Sequence, residues 1–101
     1  MINPNDFIIT TEKLFQLEHG AILNHCRLKH TALARHIAMY LVRKHSTLSL
    51  HELGIIFKRD HSCVVNACNI VNKRLPELSK YIETIEAQLA PKKSLFKRIF
   101  S

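Results

Sequence analysis

The sequence predicts an all-α protein, a compact domain of about five to six helices, from three observations. Apolar residues recur at the three- and four-residue spacing of amphipathic helices, and no alternating strand pattern bounded by Asn-Gly or Asp-Gly turns occurs. Glycine and proline, which interrupt helices, number only 2 and 3 in 101 residues. With 47% hydrophobic and 23% charged residues, the chain has the composition of a folded globular domain.

The amino-terminal part of the chain predicts three helical segments. Asn5 or Asp6 is a suitable N-cap for a first helix over residues 7–17. One turn of helix is expected around residues 20–24. The longest helix is expected from Thr31, its N-cap, to about residue 45, because apolar residues follow a single helical face throughout that range.

Two further helices separated by a short turn follow. Ser49 and Glu52 have the spacing of a capping box, which predicts a helix of about nine residues ending at Phe57. Asp60 is the expected N-cap of the next helix, which runs from His61 to about Leu75. This order is typical of a helix-turn-helix, whose second helix lies in the major groove of DNA.

Proline residues mark the end of the predicted domain. Pro76 is expected to stop the fifth segment and to begin a last helix over residues 77–89. Pro91 then separates a domain over residues 1–90 from a tail over residues 91–101. The tail has four basic residues and no acidic residue, and its apolar residues have amphipathic helical spacing: Leu95, Phe96, Ile99 and Phe100.

Charge and composition restrict the functional class. Fifteen Lys and Arg against 8 Asp and Glu give a net charge of +7, which favours a polyanionic partner, nucleic acid before an anionic membrane. Gly20 and Gly54 are the only glycines, so neither a P-loop nor a dinucleotide-binding loop can be formed. No nucleophile, base and orienting acid are suitably spaced, so neither an enzyme, a small-molecule substrate nor a cofactor is expected.

Cysteine and histidine usage indicates neither disulfides nor a metal site. The 3 cysteines form no C-x-x-C pair, which favours a reducing cytoplasm, and the 7 histidines are scattered without zinc-finger spacing to a cysteine. The amino terminus lacks the pattern of a signal peptide, and no apolar run approaches the roughly 20 residues of a membrane span. A cytoplasmic protein at the nucleoid is expected, and membrane contact is not.

A longer stretch of sequence resembles a known family. Residues 34–71, ARHIAMYLVRKHSTLSLHELGIIFKRDHSCVVNACNIV, are similar to the C-terminal DNA-binding domain of DnaA, the bacterial chromosomal replication initiator. That family reads approximately PRQIAMYL, SLPEIG and RDHTTVxHA. The likeness covers most of residues 5–89 and implies a Trp-repressor-like helical fold that binds double-stranded DNA. The family's nucleotide-hydrolysing domain is missing, so the chain looks like a freestanding copy of the DNA reader.

The resemblance implies base contacts at the start of the second helix. Asp60 matches an aspartate that accepts a hydrogen bond from a cytosine amino group, and His61 matches a histidine on thymine methyls. Ser62 stands in place of a threonine that contacts bases. Cys63 replaces a phosphate-binding threonine with a weaker donor, and Asn66 stands in place of a histidine.

Further contacts are implied along the DNA backbone. Arg27 and Lys29 precede the long helix, and Arg27 matches a residue that enters the minor groove. Basic side chains and the backbone amides at a helix start are suited to phosphate. The resemblance assigns phosphate contacts to the side chains of Arg35 and Arg43 and to the backbone amides of Leu50 and His51. It also places Arg59 at the DNA interface, directly before the reading helix.

One departure from the family lies in the turn itself. The family has two glycines there, whereas this chain has only Lys58 before Arg59. The turn is therefore one residue shorter and is made without glycine. We expect this to re-aim the reading helix and to alter the DNA sequence that it prefers.

Two functions follow from the sequence. The first is sequence-specific binding of double-stranded DNA at sites resembling DnaA boxes, which would regulate replication initiation or transcription. The alternative is a protein adaptor with weakened DNA binding, which contacts a partner through the tail or through apolar Val65 and Ile70 on the reading helix.

Overall fold

The computed structural model describes residues 4–23 and 29–89, and these residues are helical apart from short connections. No strand occurs among them, so the all-α prediction is confirmed. Arg27 and the tail over residues 91–101 lie outside the described residues. The elements in chain order are α1 (Pro4–Leu14), a 3₁₀ helix (Ala21–Leu23), α2 (Lys29–His45), α3 (Leu50–Phe57), α4 (His61–Lys73) and α5 (Leu75–Leu89).

Helix α1 begins and ends three residues earlier than predicted. Proline suits a first helical turn, because the N–H that it lacks has no intrahelical partner there, and α1 starts at Pro4. The helix ends because Gln16 adopts a left-handed conformation, with φ 56°. The amide of Leu17 then donates to the carbonyl of Glu12 at 2.8 Å, which closes a Schellman motif.

Two other predicted boundaries are wrong. Helix α2 begins at Lys29, so Thr31 lies buried inside its first turn and is not the N-cap. Helix α4 ends at Lys73, because Arg74 leaves the helical conformation with φ −109° and ψ 19°. Pro76 therefore lies within the first turn of α5, where its fixed φ is tolerated.

Helix α2 lies at the centre of the fold. It packs against α1, the 3₁₀ helix, α3 and α4, while α5 lies against α1 and α4. The apolar sides of α3 and α4 are buried as their sequence periodicity predicts, which turns their polar sides outward. The largest fully buried side chains in α2, α3 and α4 are Ile37, Met39, Leu41, Val42, Leu53, Phe57, Val64 and Val71.

Helix α1 packs antiparallel against α2. The ring of Phe7 stacks on His45, the last residue of α2, with centroids 5.2 Å apart. The ring of Phe15 lies 5.1 Å from that of His30, in the first turn of α2. Ring contacts from α1 and from the residue that follows it therefore reach both ends of the central helix.

The turn between α3 and α4 is a second Schellman motif without glycine. Lys58 has the left-handed conformation, with φ 55° and ψ 42°. The amide of Arg59 donates to the carbonyl of Gly54 at 2.8 Å, and the amide of Lys58 donates to that of Ile55 at 3.2 Å. A Cβ on Gly54 would lie 2.7 Å from the carbonyl oxygen of Arg59. The turn therefore packs directly on the backbone of Gly54, the only glycine in α3.

We expect Lys58→Gly to raise the free energy of unfolding by about 0.5–1 kcal/mol, because glycine adopts the left-handed conformation without the Cβ penalty. Urea unfolding measures this change. Lys80→Gly is the matched control, because Lys80 is an exposed lysine in the interior of α5. This control should be less stable by about 1 kcal/mol. Equal destabilisation of the two variants would contradict the interpretation.

Candidate DNA interface

The solvent-exposed side of α4 includes the residues that the sequence predicts as DNA contacts on this helix. Its apolar side is buried against α2 and α3, so the polar side faces outward. Val65 is the apolar exception, with 37% of its surface exposed. The exposed polar residues of the first three turns are His61, Ser62, Cys63, Asn66 and Asn69.

The start of α4 is a hydrogen-bonded cluster centred on Asp60. Its Oδ1 atom accepts from the amide of His61 at 2.9 Å, and its Oδ2 atom accepts from Oγ of Ser62 at 2.8 Å. The Nδ1 atom of His61 lies 3.2 Å from the same Oδ1. The hydroxyl of Ser62 is the main cause of the lowered pKa of Asp60, which is therefore a carboxylate at neutral pH. The predicted N-cap is confirmed, and it is exposed and charged.

The start of α3 has the predicted capping box. Oγ of Ser49 accepts from the amide of Glu52 at 3.1 Å, and Oε1 of Glu52 accepts from the amide of Ser49 at 3.1 Å. These bonds lower the pKa of the Glu52 carboxyl. The amides of Leu50 and His51 lie in the first turn, where a helix offers no carbonyl to accept them. Their position suits a phosphate, as the sequence predicts.

Arg35 has a structural contact that the sequence does not predict. Its Nε atom donates to the carbonyl of Ile22 at 3.1 Å, and the amide of Ile22 donates to Oε2 of Glu12 at 3.0 Å. The carboxylate of Glu12 belongs to a residue that is only 2% exposed. The two charged side chains thus hold both polar groups of Ile22 and fix the 3₁₀ helix against α1 and α2.

A cleft of about 130 Å³ between α2 and α4 brings four predicted site residues together. Arg59 lines it from the turn, where its Nη1 atom donates to the carbonyl of Lys58 at 3.1 Å. Sequence reasoning missed two lining residues, His36 and Met39. The full lining is Arg35, His36, Met39, Arg59, Cys63 and Asn66.

The signal that could have found His36 is a stripe on α2. His36, Tyr40 and Arg43 follow one another at spacings of four and three residues, so they share one side of the helix. Arg43 is exposed and lines a second groove with Tyr40 and with Cys68 and Asn72 of α4. The stripe therefore follows the junction between α2 and α4.

The other predicted residues are spread around this junction. Lys29 is exposed at the first position of α2, and it does not line the cleft. Within residues 4–23 and 29–89, no three His, Cys, Asp or Glu side chains are grouped to hold a metal ion. No helix among the described residues has the length and apolar character needed to cross a membrane.

Comparison with known proteins assigns the chain to a family. The family model described as "Bacterial dnaA protein helix-turn-helix" matches residues 4–71, from the start of α1 to α4. The chain belongs to this family. The DnaA helix-turn-helix is a non-catalytic DNA-binding domain, so the predicted family, helix-turn-helix and absence of enzymatic activity are confirmed.

Full-length DnaA proteins are similar over most of this chain. The chromosomal replication initiator protein DnaA of Leifsonia xyli is 36% identical over 99 residues, which are 97% of this chain and 20% of that protein. That of Bifidobacterium animalis is 34% identical over 92 residues, 87% of this chain and 16% of the relative. That of Tropheryma whipplei is 39% identical over 66 residues, 65% of this chain and 14% of the relative. The chain thus spans at most a fifth of these DnaA proteins.

Proposed function

We propose that this chain binds double-stranded DNA sequence-specifically at sites resembling DnaA boxes and thereby regulates replication initiation or transcription at the nucleoid. The observation that carries the proposal is the start of α4, where Asp60, His61 and Ser62 are exposed. His61 and Ser62 each donate a hydrogen bond to the carboxylate of Asp60, which caps the helix. The net charge of +7 supplies the general attraction to DNA.

The cluster at the start of α4 would read base edges in the major groove. The Oδ2 atom of Asp60 accepts a bond from Ser62 and retains a lone pair, which can accept from a cytosine amino group. Because the Ser62 hydroxyl donates to Asp60, its lone pairs remain to accept from an amino group of cytosine or adenine. His61 would pack on a thymine methyl.

The surrounding residues would position the duplex through its backbone. On this proposal Arg27 enters the minor groove, and the amides of Leu50 and His51 bind a phosphate at the start of α3. Contacts of this kind set the orientation on DNA but carry no sequence information. The remaining proposed backbone contacts are Lys29, Arg35, Arg43, Arg59, Cys63 and Asn66.

Fluorescence anisotropy with a duplex that contains a DnaA box, beside a scrambled duplex, tests the proposal across a salt series. If about five phosphates are neutralised, log affinity should fall with log salt at a slope of roughly −4.5. The box should bind about a hundredfold more tightly, within the range for specific recognition. Equal binding to both duplexes would overturn sequence-specific recognition.

We expect Arg43→Ala to weaken binding to both duplexes alike, because a phosphate contact carries no base information. The salt slope should become shallower by about 1. Lys80→Ala is the control, because Lys80 is an exposed lysine on α5 and lies outside the proposed contacts. A selective loss on the box duplex would instead show that Arg43 contributes to sequence reading.

A second candidate function is protein docking, with the fold kept as a scaffold. The observation that favours it is apolar exposure on the helix-turn-helix: Val65 is 37% exposed, Ile55 of α3 is 66% exposed and Ile70 is half-buried. The tail over residues 91–101 would be a further contact for a protein partner. If Val65→Ser leaves specific DNA binding intact but abolishes capture of a partner protein, docking is supported. Tight box binding without a recovered partner would argue against it.

A further inference from the structure

We propose that the cleft between α2 and α4 holds a backbone phosphate of bound DNA, and that His36 binds this phosphate as an imidazolium. The protein would then take up a proton when it binds DNA. This inference rests on the proposed DNA-binding function and adds a site residue that neither the sequence prediction nor the family comparison assigns.

The size and lining of the cleft suit an anion. Its volume of about 130 Å³ corresponds to roughly four water molecules at their liquid volume. Among the lining residues that the structure describes, Arg35 and Arg59 are cations, Asn66 is an amide donor, and none is a carboxylate. Guanidinium and imidazolium groups form short, charge-assisted hydrogen bonds to phosphate oxygens.

Without DNA, His36 has surroundings that oppose its protonation. Its side chain is half-buried, and burial is the main reason that its pKa is lowered from 6.5. The positive charges of Arg35, on the same helix, and of Arg74, after α4, lower it further. Arg59 from the turn and the thiol of Cys63 from α4 line the same cleft. His36 is therefore mostly neutral at pH 7 in the free protein.

Glu77 is a carboxylate that contacts Arg74. It binds the guanidinium of Arg74, with Oε1 at 3.0 Å from Nη2, and so offsets part of the Arg74 charge. It does not line the cleft. The described residues that line the cleft are therefore cationic or neutral, which favours an anion there.

A phosphate in the cleft would favour the protonated form of His36 instead of the neutral form. An adjacent negative charge favours the charged form of histidine, so the pKa of His36 should rise on binding. The sign of the linkage follows from this rise. Affinity should increase as the pH falls from the raised pKa of the complex towards the lowered pKa of the free protein, by at most about tenfold per pH unit.

Nuclear magnetic resonance of the wild-type protein tests this inference directly, by titration of the His36 Cε1–H signal with and without a DnaA-box duplex. We expect the pKa of His36 to be below 6.5 in the free protein and to rise by about one unit or more in the complex. An unchanged or lower pKa on binding would overturn the inference. No variant is needed for this measurement, so a folding defect cannot confuse it.

A pair of histidine variants tests the effect on affinity. From about pH 7.5 to 5.5, the affinity of the wild type for the box should rise about tenfold more than that of His36→Gln. His19→Gln is the control, because His19 is an exposed histidine before the 3₁₀ helix that lies outside the proposed contacts, so this variant should leave the His36 response in place. If His36→Gln keeps the full wild-type response, the inference is wrong.

The outcomes separate this inference from the proposed function. A hundredfold preference for the box without a rise in the His36 pKa would support the function and overturn the phosphate site. A rise in the His36 pKa on box and scrambled duplexes alike, with equal affinities, would support the phosphate site and overturn sequence-specific reading.

Discussion

Replacing Gly54 with alanine is expected to lower the free energy of unfolding by about 1–2 kcal/mol, and replacing it with valine by about 3 kcal/mol. The added Cβ would lie 2.7 Å from the carbonyl oxygen of Arg59 and 3.2 Å from the amide nitrogen of His61. Both neighbours are backbone atoms, which cannot swing aside as a side chain does. Alanine is favoured over glycine inside a helix by about 1 kcal/mol, so the net loss is smaller than the steric cost alone.

Urea unfolding and anisotropy together check this prediction. The turn must shift to relieve the contact, so the start of α4 should move and the preference for a DnaA box should fall in the folded fraction of the alanine variant. Ile55→Ala is the matched control, because Ile55 is 66% exposed on the same helix, and its change should stay within about 0.5 kcal/mol. If Gly54→Ala stabilises the protein, as for an ordinary helical glycine, the turn tolerates a side chain and the argument fails.

Asp60→Ala is expected to reduce the preference for one C·G pair in the target by roughly ten- to a hundredfold. The carboxylate is the acceptor that a cytosine amino group requires, and the lowered pKa keeps it ionised. The same side chain caps α4, so its removal should also lower the thermal midpoint by roughly 5 °C. Competition binding with the four base pairs at each position, together with thermal unfolding, measures both effects.

Asp60→Asn separates the two roles of this residue. Asparagine is as good an N-cap as aspartate, so the thermal midpoint should be nearly unchanged. Its amide pairs best with adenine, so the preferred base at that position should change from cytosine to adenine. If both variants weaken every duplex equally, Asp60 is only a cap and does not read a base.

The helix-turn-helix could be predicted because its signals are local. Ser49 with Glu52, and Asp60 alone, are capping residues that act within three positions of themselves, and both caps are confirmed. The end of α1 could not be predicted. Gln16 adopts the left-handed conformation that usually marks a glycine, so no residue type indicated that turn.

The cleft could not be predicted from the sequence because it is formed by tertiary packing between two helices. His36 and Cys63 are 27 positions apart, and they line one cavity only because α2 packs against α4. The contact of Arg35 with Ile22 depends likewise on a buried carboxylate, Glu12, whose burial no local pattern indicates. The outward face of α4 was predictable, because helical periodicity alone decides which side of a packed helix meets solvent.

The antiparallel contact of α1 with α2 limits which fragment of this DNA-binding domain could be grafted into another protein. Phe7 and Phe15 cover opposite ends of α2, at His45 and His30, and both rings are buried. A graft that began at α2 would expose to water the part of the helix that α1 covers, although every base-reading residue would still be present. The smallest transferable unit therefore includes a helix that is predicted to touch no base.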